Sequence, residues 1–233
     1  MAQDVGAGAW TAGVGAVYTP GFVPPFRAGS RDRLAFGVGG RWMPDARVQL
    51  SAGFDGLWDR SAGATELGPG DVQLGAAVWL VDPGPVRLWL GFAAKLPDAK
   101  DEGELGTDET DVTFGGAAEL HAGDWRALVG AGLGVWGNPL RFANQDDVPE
   151  LRATFCWKPL PSVAGGMTFN GDVGTERNPA RLTAGAWVRG SLPLGRSPGA
   201  SRGFIEIAGG AGFTPAAPDG IVALSAGFGG PPG

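Results

Sequence analysis

The sequence is short of the residues that build covalent cross-links and metal clusters. It has one cysteine, Cys156, and one histidine, His121, among 233 residues. A lone cysteine excludes an intramolecular disulfide and a cluster of thiolate ligands. A lone histidine excludes every site that needs two imidazole groups. We therefore predict neither a metal nor a cofactor.

Charge and long apolar runs are also scarce. Only 18% of the residues are charged, and the formal net charge is −6. The basic footprint of a nucleic-acid-binding protein is therefore absent, and we predict no nucleic-acid partner. The longest uncharged run near the N-terminus, residues 5–26, contains five glycines and three prolines, so it cannot form a membrane-spanning helix.

Glycine, proline and apolar side chains are abundant instead. The 43 glycines and 19 prolines make the chain a poor helix former, yet 43% of its residues are hydrophobic and nine are tryptophan. Glycine does not recur at every third position, which excludes collagen. The apolar content argues against disorder. The composition favours β-structure.

Alternation between apolar and small or polar residues recurs along the chain. Residues 86–96 place Val, Leu, Leu, Phe, Ala and Leu on one face, and Arg, Trp, Gly, Ala and Lys on the other. A period of two over eleven residues predicts a β-strand with one apolar face. The same pattern predicts about twelve strands, over residues 9–18, 33–42, 48–56, 72–80, 86–96, 112–120, 127–136, 151–158, 163–170, 181–189, 204–213 and 221–228.

The predicted connections differ in length between the two ends of the strands. Short ones fall at residues 44–46, 82–85, 122–124 and 159–161. Long ones fall at residues 20–32, 59–70, 97–110, 138–150 and 171–180, and residues 193–201 are long on the short side. This asymmetry is typical of outer-membrane barrels, whose periplasmic turns are short. We predict an all-β antiparallel transmembrane barrel over residues 1–228, followed by a flexible Gly/Pro tail at 229–233.

A soluble β-sandwich or lipocalin-like barrel would show similar alternation. Its apolar face would point inward, and its other face would be solvated. Here the other face is mostly Gly, Ala, Ser and Thr with scattered Arg, which suits a crowded lumen better. The apolar face carries aromatic residues near strand ends, as an interfacial girdle does: Trp10, Tyr18, Trp42, Trp157 and Phe228. The membrane barrel is therefore favoured.

Part of the chain resembles a known family. Residues 68–76, Gly-Pro-Gly-Asp-Val-Gln-Leu-Gly-Ala, resemble the G-x-G-D-hydrophobic-x-L-G segment of the outer-membrane barrels named for the MetA pathway of phenol degradation, also described as transporters. Residues 94–97, Ala-Lys-Leu-Pro, are similar to the family's K-L-P-T-G segment. Residues 105–111 stand where the family has L-G-T-G-S-T-D, with Asp108 and Glu109 in place of Gly-Ser. The likeness covers residues 68–136 and implies an outer-membrane β-barrel. The phenol label is not carried over to this chain.

The alternation assigns a set of charged side chains to the lumen near its periplasmic end. They are Arg41, Arg47, Arg87, Arg126, Lys158, Arg189, Glu119 and Glu206. Cations outnumber anions in this set, and a narrow lumen with excess cations favours the passage of anions. In the alternative interpretation, the two glutamates pair with neighbouring arginines and stiffen or block the lumen, because barrels of few strands are often filled.

Four tryptophans and the cysteine also fall on the predicted inner face. The tryptophans are Trp79, Trp89, Trp136 and Trp187. Stacking on an aromatic or sugar solute and plugging of the barrel both remain open for them. Cys156 is interpreted as a small inward-facing residue.

Residues 97–111 form an acidic segment. It contains one lysine and seven acidic residues, Asp98, Asp101, Glu102, Glu104, Asp108, Glu109 and Asp111. Carboxylates are ligands that Ca²⁺ prefers, but the D-x-D-x-D-G spacing of a calcium loop is absent. A solvated acidic loop on the cell surface is favoured over a calcium-binding or ligand-gating loop.

The sequence offers no catalytic constellation. His121 has no serine nearby in sequence, and the glycine-rich residues 13–15 and 130–134 lack the Lys-Ser/Thr and the helix of a phosphate-binding loop. We predict that the chain is not an enzyme but an outer-membrane pore or passive transporter for small solutes. We expect the lipid bilayer to be its partner, and we expect that a signal peptide has been removed. The alternative is a non-conducting barrel that anchors or scaffolds an envelope assembly for secretion or surface motility, with protein partners. A soluble binding barrel is the third possibility.

Overall fold

The computed structural model describes residues 8–23, 29–61, 64–81, 85–97, 110–137, 145–174, 179–195 and 200–230. These residues fold into twelve β-strands. None of them belongs to a helix that is long and apolar enough to cross a membrane. The strands are β1 Trp10–Phe22, β2 Arg31–Asp45, β3 Val48–Ser61, β4 Ala64–Val81, β5 Val86–Leu96, β6 Asp111–Ala122, β7 Trp125–Gly137, β8 Gln145–Leu160, β9 Val163–Asp172, β10 Arg181–Pro193, β11 Arg202–Gly212 and β12 Ile221–Gly230.

The twelve strands close into one barrel. Each strand pairs antiparallel with its neighbours in sequence, and β1 pairs with β12 in the register Trp10↔Gly230 to Tyr18↔Val222. A strand spacing of about 4.8 Å and a tilt of about 40° give a barrel about 24 Å across between opposite backbones. The predicted fold class, an antiparallel barrel of about twelve strands, is confirmed.

The predicted long connection at residues 59–70 is wrong. Strand β3 continues to Ser61 and β4 begins at Ala64, so that only residues 62–63 connect the two strands. The Gly-Pro-Gly segment at 68–70 resembles a turn in sequence, but it lies within β4. Beside it, the register of β3 against β4 shifts between Phe54 and Gly56 of β3. Proline is tolerated in a sheet at such a bulge, because the ladder there does not need its missing N–H.

The apolar face of the strands points outward. Leu90, Val129 and Ile205 are 55%, 65% and 59% exposed, although they lie in the middle of strands. Exposed aromatic rings gather near the periplasmic strand ends, where Trp125 stacks on Trp157 with ring centroids 5.3 Å apart. An apolar belt of this kind is stable only against lipid. The outward orientation excludes the soluble sandwich, whose apolar face would be buried.

Candidate functional site

Small residues line one side of the lumen. Glycines lie opposite one another at mid-strand, as in the pairs Gly13↔Gly39 and Gly39↔Gly53. Gly75 follows on the next strand. With no side chains to fill the barrel here, an off-centre cavity of about 720 Å³ remains beside these strands.

The cavity runs along most of the barrel. Its lining includes Arg202 and Gly229 at the periplasmic strand ends. It also includes Lys95 and Asp111, which lie at the opposite ends of β5 and β6. The space therefore joins the level of the short turns to the level of the long loops.

Arg189 and Glu206 form a cross-strand ion pair on the cavity wall. They face each other in the register of β10 and β11, and the Arg189 Nη2 atom lies 2.7 Å from the Glu206 Oε2 atom. The Arg189 guanidinium also lies 4.5 Å from the ring centroid of Phe204. Both contacts hold the arginine against the wall. The Arg189–Glu206 pair is the one expected by the alternative interpretation, in which the glutamates pair with arginines and stiffen or block the lumen.

Glu119 is the centre of a second charged cluster, near the periplasmic turn between β6 and β7. Its carboxylate is buried, and its Oε1 atom lies 3.1 Å from the His121 Nε2 atom. Arg87 lies directly opposite Glu119 on β5, and Arg126 lies directly opposite His121 on β7. The neighbouring cationic side chains offset the charge of the buried Glu119 carboxylate, and the cluster fills this side of the lumen.

Two of the predicted lumen cations lie close to the periplasmic turns, Arg47 within one and Lys158 near the end of β8. Arg47 is exposed in the two-residue turn after Asp45, whose carboxylate accepts a hydrogen bond from the Arg47 backbone N–H at 2.9 Å. Arg47 thus lies in a turn at the periplasmic end and not on a strand, and its assignment to the lumen stays a prediction. Lys158 is exposed beside an irregularity in the β8–β9 pairing, two residues before β8 ends at Leu160.

The four inner tryptophans are half-buried. Trp79 and Trp89 pair across β4 and β5 with ring centroids 6.2 Å apart in an edge-to-face arrangement. Trp187 packs over Gly166, where a Cβ atom would come within 2.7 Å of its ring. Trp136 donates a hydrogen bond to the carboxylate of Glu150. These rings contact the wall or one another, and the structure leaves their role in solute binding a prediction.

Charged networks at the extracellular strand ends were not predicted. The Lys95 Nζ atom lies 2.6 Å from the Asp111 Oδ2 atom and 3.7 Å from the Asp71 Oδ2 atom, and so links β4, β5 and β6. Asp59 is buried and binds both Arg31 and Arg33, at 3.3 and 2.6 Å. The alternation places Arg33 and Lys95 on the inner face, but their acidic partners lie outside the predicted strands, and the pairing depends on a register that the sequence does not reveal.

Arg152 is a lumen cation that the sequence analysis missed. Leu151 and Phe155 on the same strand are exposed on the lipid face, so Arg152 points inward. The signal was present, because the alternation over residues 151–158 puts position 152 on the inner face. Arg152 lies at mid-strand, however, and only charges near the periplasmic end were considered.

Metal ligation receives no support from the part of the chain that the structure describes. No group of three or more His, Cys, Asp or Glu side chains there is arranged to hold a metal ion. Cys156 is buried, on the inner face of β8. The acidic residues from Asp98 to Glu109 lie outside the described residues, so the calcium question stays open.

Solved structures share this architecture. The chain is similar to an outer membrane channel from Pseudomonas putida F1, with a TM-score of 0.64 and 13% identity over 96% of this chain and 95% of that chain. It is also similar to the translocator domain of the autotransporter NalP from Neisseria meningitidis, with a TM-score of 0.56 and 14% identity over 97% of this chain and 88% of that chain. No known protein family and no curated protein matches the sequence.

The fold is that of a bacterial outer-membrane β-barrel. At these identities the likeness concerns the architecture alone. Together with the apolar belt, it places the chain in the lipid bilayer of an outer membrane, as the sequence analysis predicted. Among the described residues, the lumen brings polar side chains and open space together.

Proposed function

We propose that the chain forms a narrow pore that favours small anionic solutes. The observation that carries this proposal is the cavity that extends from Arg202 and Gly229 at the periplasmic strand ends to Lys95 and Asp111 at the extracellular ones. An internal space that joins the two ends of the strands is the path that a solute would take through the barrel. A solute of a few heavy atoms fits its volume of about 720 Å³.

The sign of the selectivity follows from the charges on the two levels of the lumen. At the extracellular level, carboxylates offset the cations, as Asp71 and Asp111 do around Lys95. Towards the periplasmic level, arginines exceed their partners, because Arg41 and Arg202 line the same cavity as the Arg189–Glu206 pair. A low-dielectric wall strengthens this excess, which favours anions.

The sequence resemblance points in the same direction. The motifs at residues 68–76 and 94–97 resemble a family of outer-membrane transporters, and the fold is similar to that of an outer membrane channel. We propose membership of that family. The chemical identity of the solute is left to experiment, since neither likeness carries it.

Conductance of the purified barrel in a planar lipid bilayer tests the proposal. Stepwise channels with a reversal potential shifted towards that of the anion are expected. The Arg41→Gln/Arg202→Gln double variant, which removes two arginines that line the cavity, should shift permeability towards cations. Arg60→Gln is the matched control, because Arg60 is an exposed strand residue on the lipid-facing side of β3. Cation-selective channels from the wild-type protein would contradict the proposal.

A non-conducting scaffold is the second candidate. Two observations favour it: the buried Glu119 cluster occupies the periplasmic end, and the Trp79–Trp89 pair occupies the wall above it. A barrel that folds, as shown by a heat-dependent shift in electrophoretic mobility, yet gives no current would support this candidate. Cross-linking from the long loops would then identify its partners.

A further inference from the structure

Two arginines lie on opposite sides of the lumen. Arg41 is on β2 and Arg152 is on β8, six strands apart around a ring of twelve. Both lie on the inner face of their strands, because the adjacent residues in sequence, Trp42 and Leu151, are exposed on the outer face. Since the backbones are about 24 Å apart, two extended arginine side chains close about half of that span.

Within the described part of the chain, no carboxylate forms an ion pair with either arginine. Among the described residues, neither Arg41 nor Arg152 makes an ion pair or a hydrogen bond. Arg41 interacts electrostatically with Arg152 and with Arg189, and with the single carboxylate of Glu206. Because Glu206 already binds Arg189, the group of four side chains keeps an excess of positive charge.

An excess of this kind inside a barrel is unfavourable unless an anion joins it. Like charges in a low-dielectric surrounding repel, and an anion placed between them removes the repulsion. The lumen leaves room for one, because Arg41 has Gly40 and Gly39 beside it, and Arg152 lies opposite Gly130. The cavity of the lumen reaches Arg41 and the two glycines beside it.

We propose that Arg41 and Arg152 form a binding site for a small oxyanion, a carboxylate or a phosphate, across the lumen between β2 and β8. Guanidinium groups present paired N–H donors that match two oxygens of one oxyanion, whereas a halide offers a single acceptor atom to both donors. Polar neighbours complete the site. Thr11 and Ser51 lie opposite Arg41, and Asn170 lies opposite Arg152.

The site would select within the anions that the proposed pore admits, and in that respect it rests on the proposed function. Binding itself does not require conduction, because an oxyanion can enter from either end of a lumen that is closed at the other. A binding measurement and a current measurement therefore test the two proposals separately.

Calorimetric titration of the detergent-purified barrel with inorganic phosphate, at constant ionic strength in chloride, tests the site. Saturable binding is expected for the wild-type protein. Arg41→Gln and Arg152→Gln should each weaken it about tenfold or more, because each removes one of two guanidinium partners. Arg60→Gln should leave it unchanged, since it removes the same charge outside the lumen.

The outcomes separate cleanly. Loss of phosphate binding in both lumen variants, with heat-dependent mobility retained, supports the site even if no current is seen. Binding that is absent in the wild-type protein, or that survives both lumen substitutions, overturns it. In a conducting barrel, phosphate should also block chloride current in the wild-type protein and in Arg60→Gln, but not in Arg41→Gln. Equal block in all three would overturn the site and leave the pore intact.

Discussion

Glu206 binds Arg189 directly across the β10–β11 pair, with the Arg189 Nη2 atom 2.7 Å from the Glu206 Oε2 atom. The pair lines the same cavity as Arg41, which interacts electrostatically with both partners. One carboxylate thus moderates the positive charge of several arginines. The anion preference that we propose for the lumen should therefore respond to a change in this single side chain.

Glu206→Gln should raise the preference for anions. The amide keeps the shape of the side chain but removes its negative charge. Among the groups that interact with Arg41, Glu206 is the one carboxylate. We expect the anion-to-cation permeability ratio to rise about two- to threefold in a chloride gradient. Asp147→Asn is the matched control, because Asp147 is exposed on the outer face of β8. An unchanged ratio in Glu206→Gln would place the selectivity elsewhere.

Lys95→Gln should act in the opposite direction. Lys95 lies between Asp111 and Asp71 at the extracellular level of the cavity. Its removal leaves those carboxylates facing the cavity without their shared cation, so entering anions are repelled. We expect the permeability ratio to fall about two- to threefold. Reversal potentials measured with the gradient in each direction should show the larger effect for entry from the extracellular side.

The alternation predicted which face each side chain occupies, because side chains along a strand point to opposite faces with a period of two. Arg41 and Trp187 were thus assigned inward before any pairing was known, and the exposed Val188 beside Trp187 agrees with that assignment. Where an element ends is less visible. Arg47 follows the last residue of β2 in a turn, and Gly-Pro-Gly at 68–70 belongs to a strand.

Contacts between strands were beyond the reach of the sequence. The link from Lys95 to Asp71 depends on the register of β4 against β5, which bulges and loop lengths decide. The relation between Arg41 and Arg152 depends on closure of the barrel, which brings together residues 111 positions apart. The periodicity along a single strand reveals neither the register between strands nor the closure of the barrel.

Asp59→Asn should destabilise the barrel. The Asp59 side chain is 3% exposed and binds both Arg31 and Arg33, joining β2 to β3 at the extracellular end. The amide leaves two arginines near a neutral group, and breaking a buried ion pair of this kind costs about 3 kcal/mol. Urea unfolding in detergent, followed by tryptophan fluorescence, should show a lower midpoint. Asp124→Asn, in the exposed turn between β6 and β7, should leave the midpoint unchanged.

Gly166 and Gly190 offer a matched pair of glycines on neighbouring strands. A Cβ atom at position 166 would lie 2.7 Å from the Cζ2 atom of Trp187 and would also collide with the Phe155 carbonyl oxygen, which cannot move without the strand. A Cβ atom at position 190 would meet nothing within 4 Å. The same added methyl group is therefore strained at one site and unopposed at the other.

Gly166→Ala should lower stability by about 1–3 kcal/mol and push the Trp187 indole into the lumen. Its fluorescence spectrum should change, and any conductance should fall because the displaced ring narrows the cavity. Gly190→Ala should match the wild-type protein in all three measurements. A Gly166→Ala barrel with wild-type stability and conductance would mean that the β8–β9 strands yield easily. The wall of the lumen would then be deformable, and the inner tryptophans would be able to move aside for a passing solute.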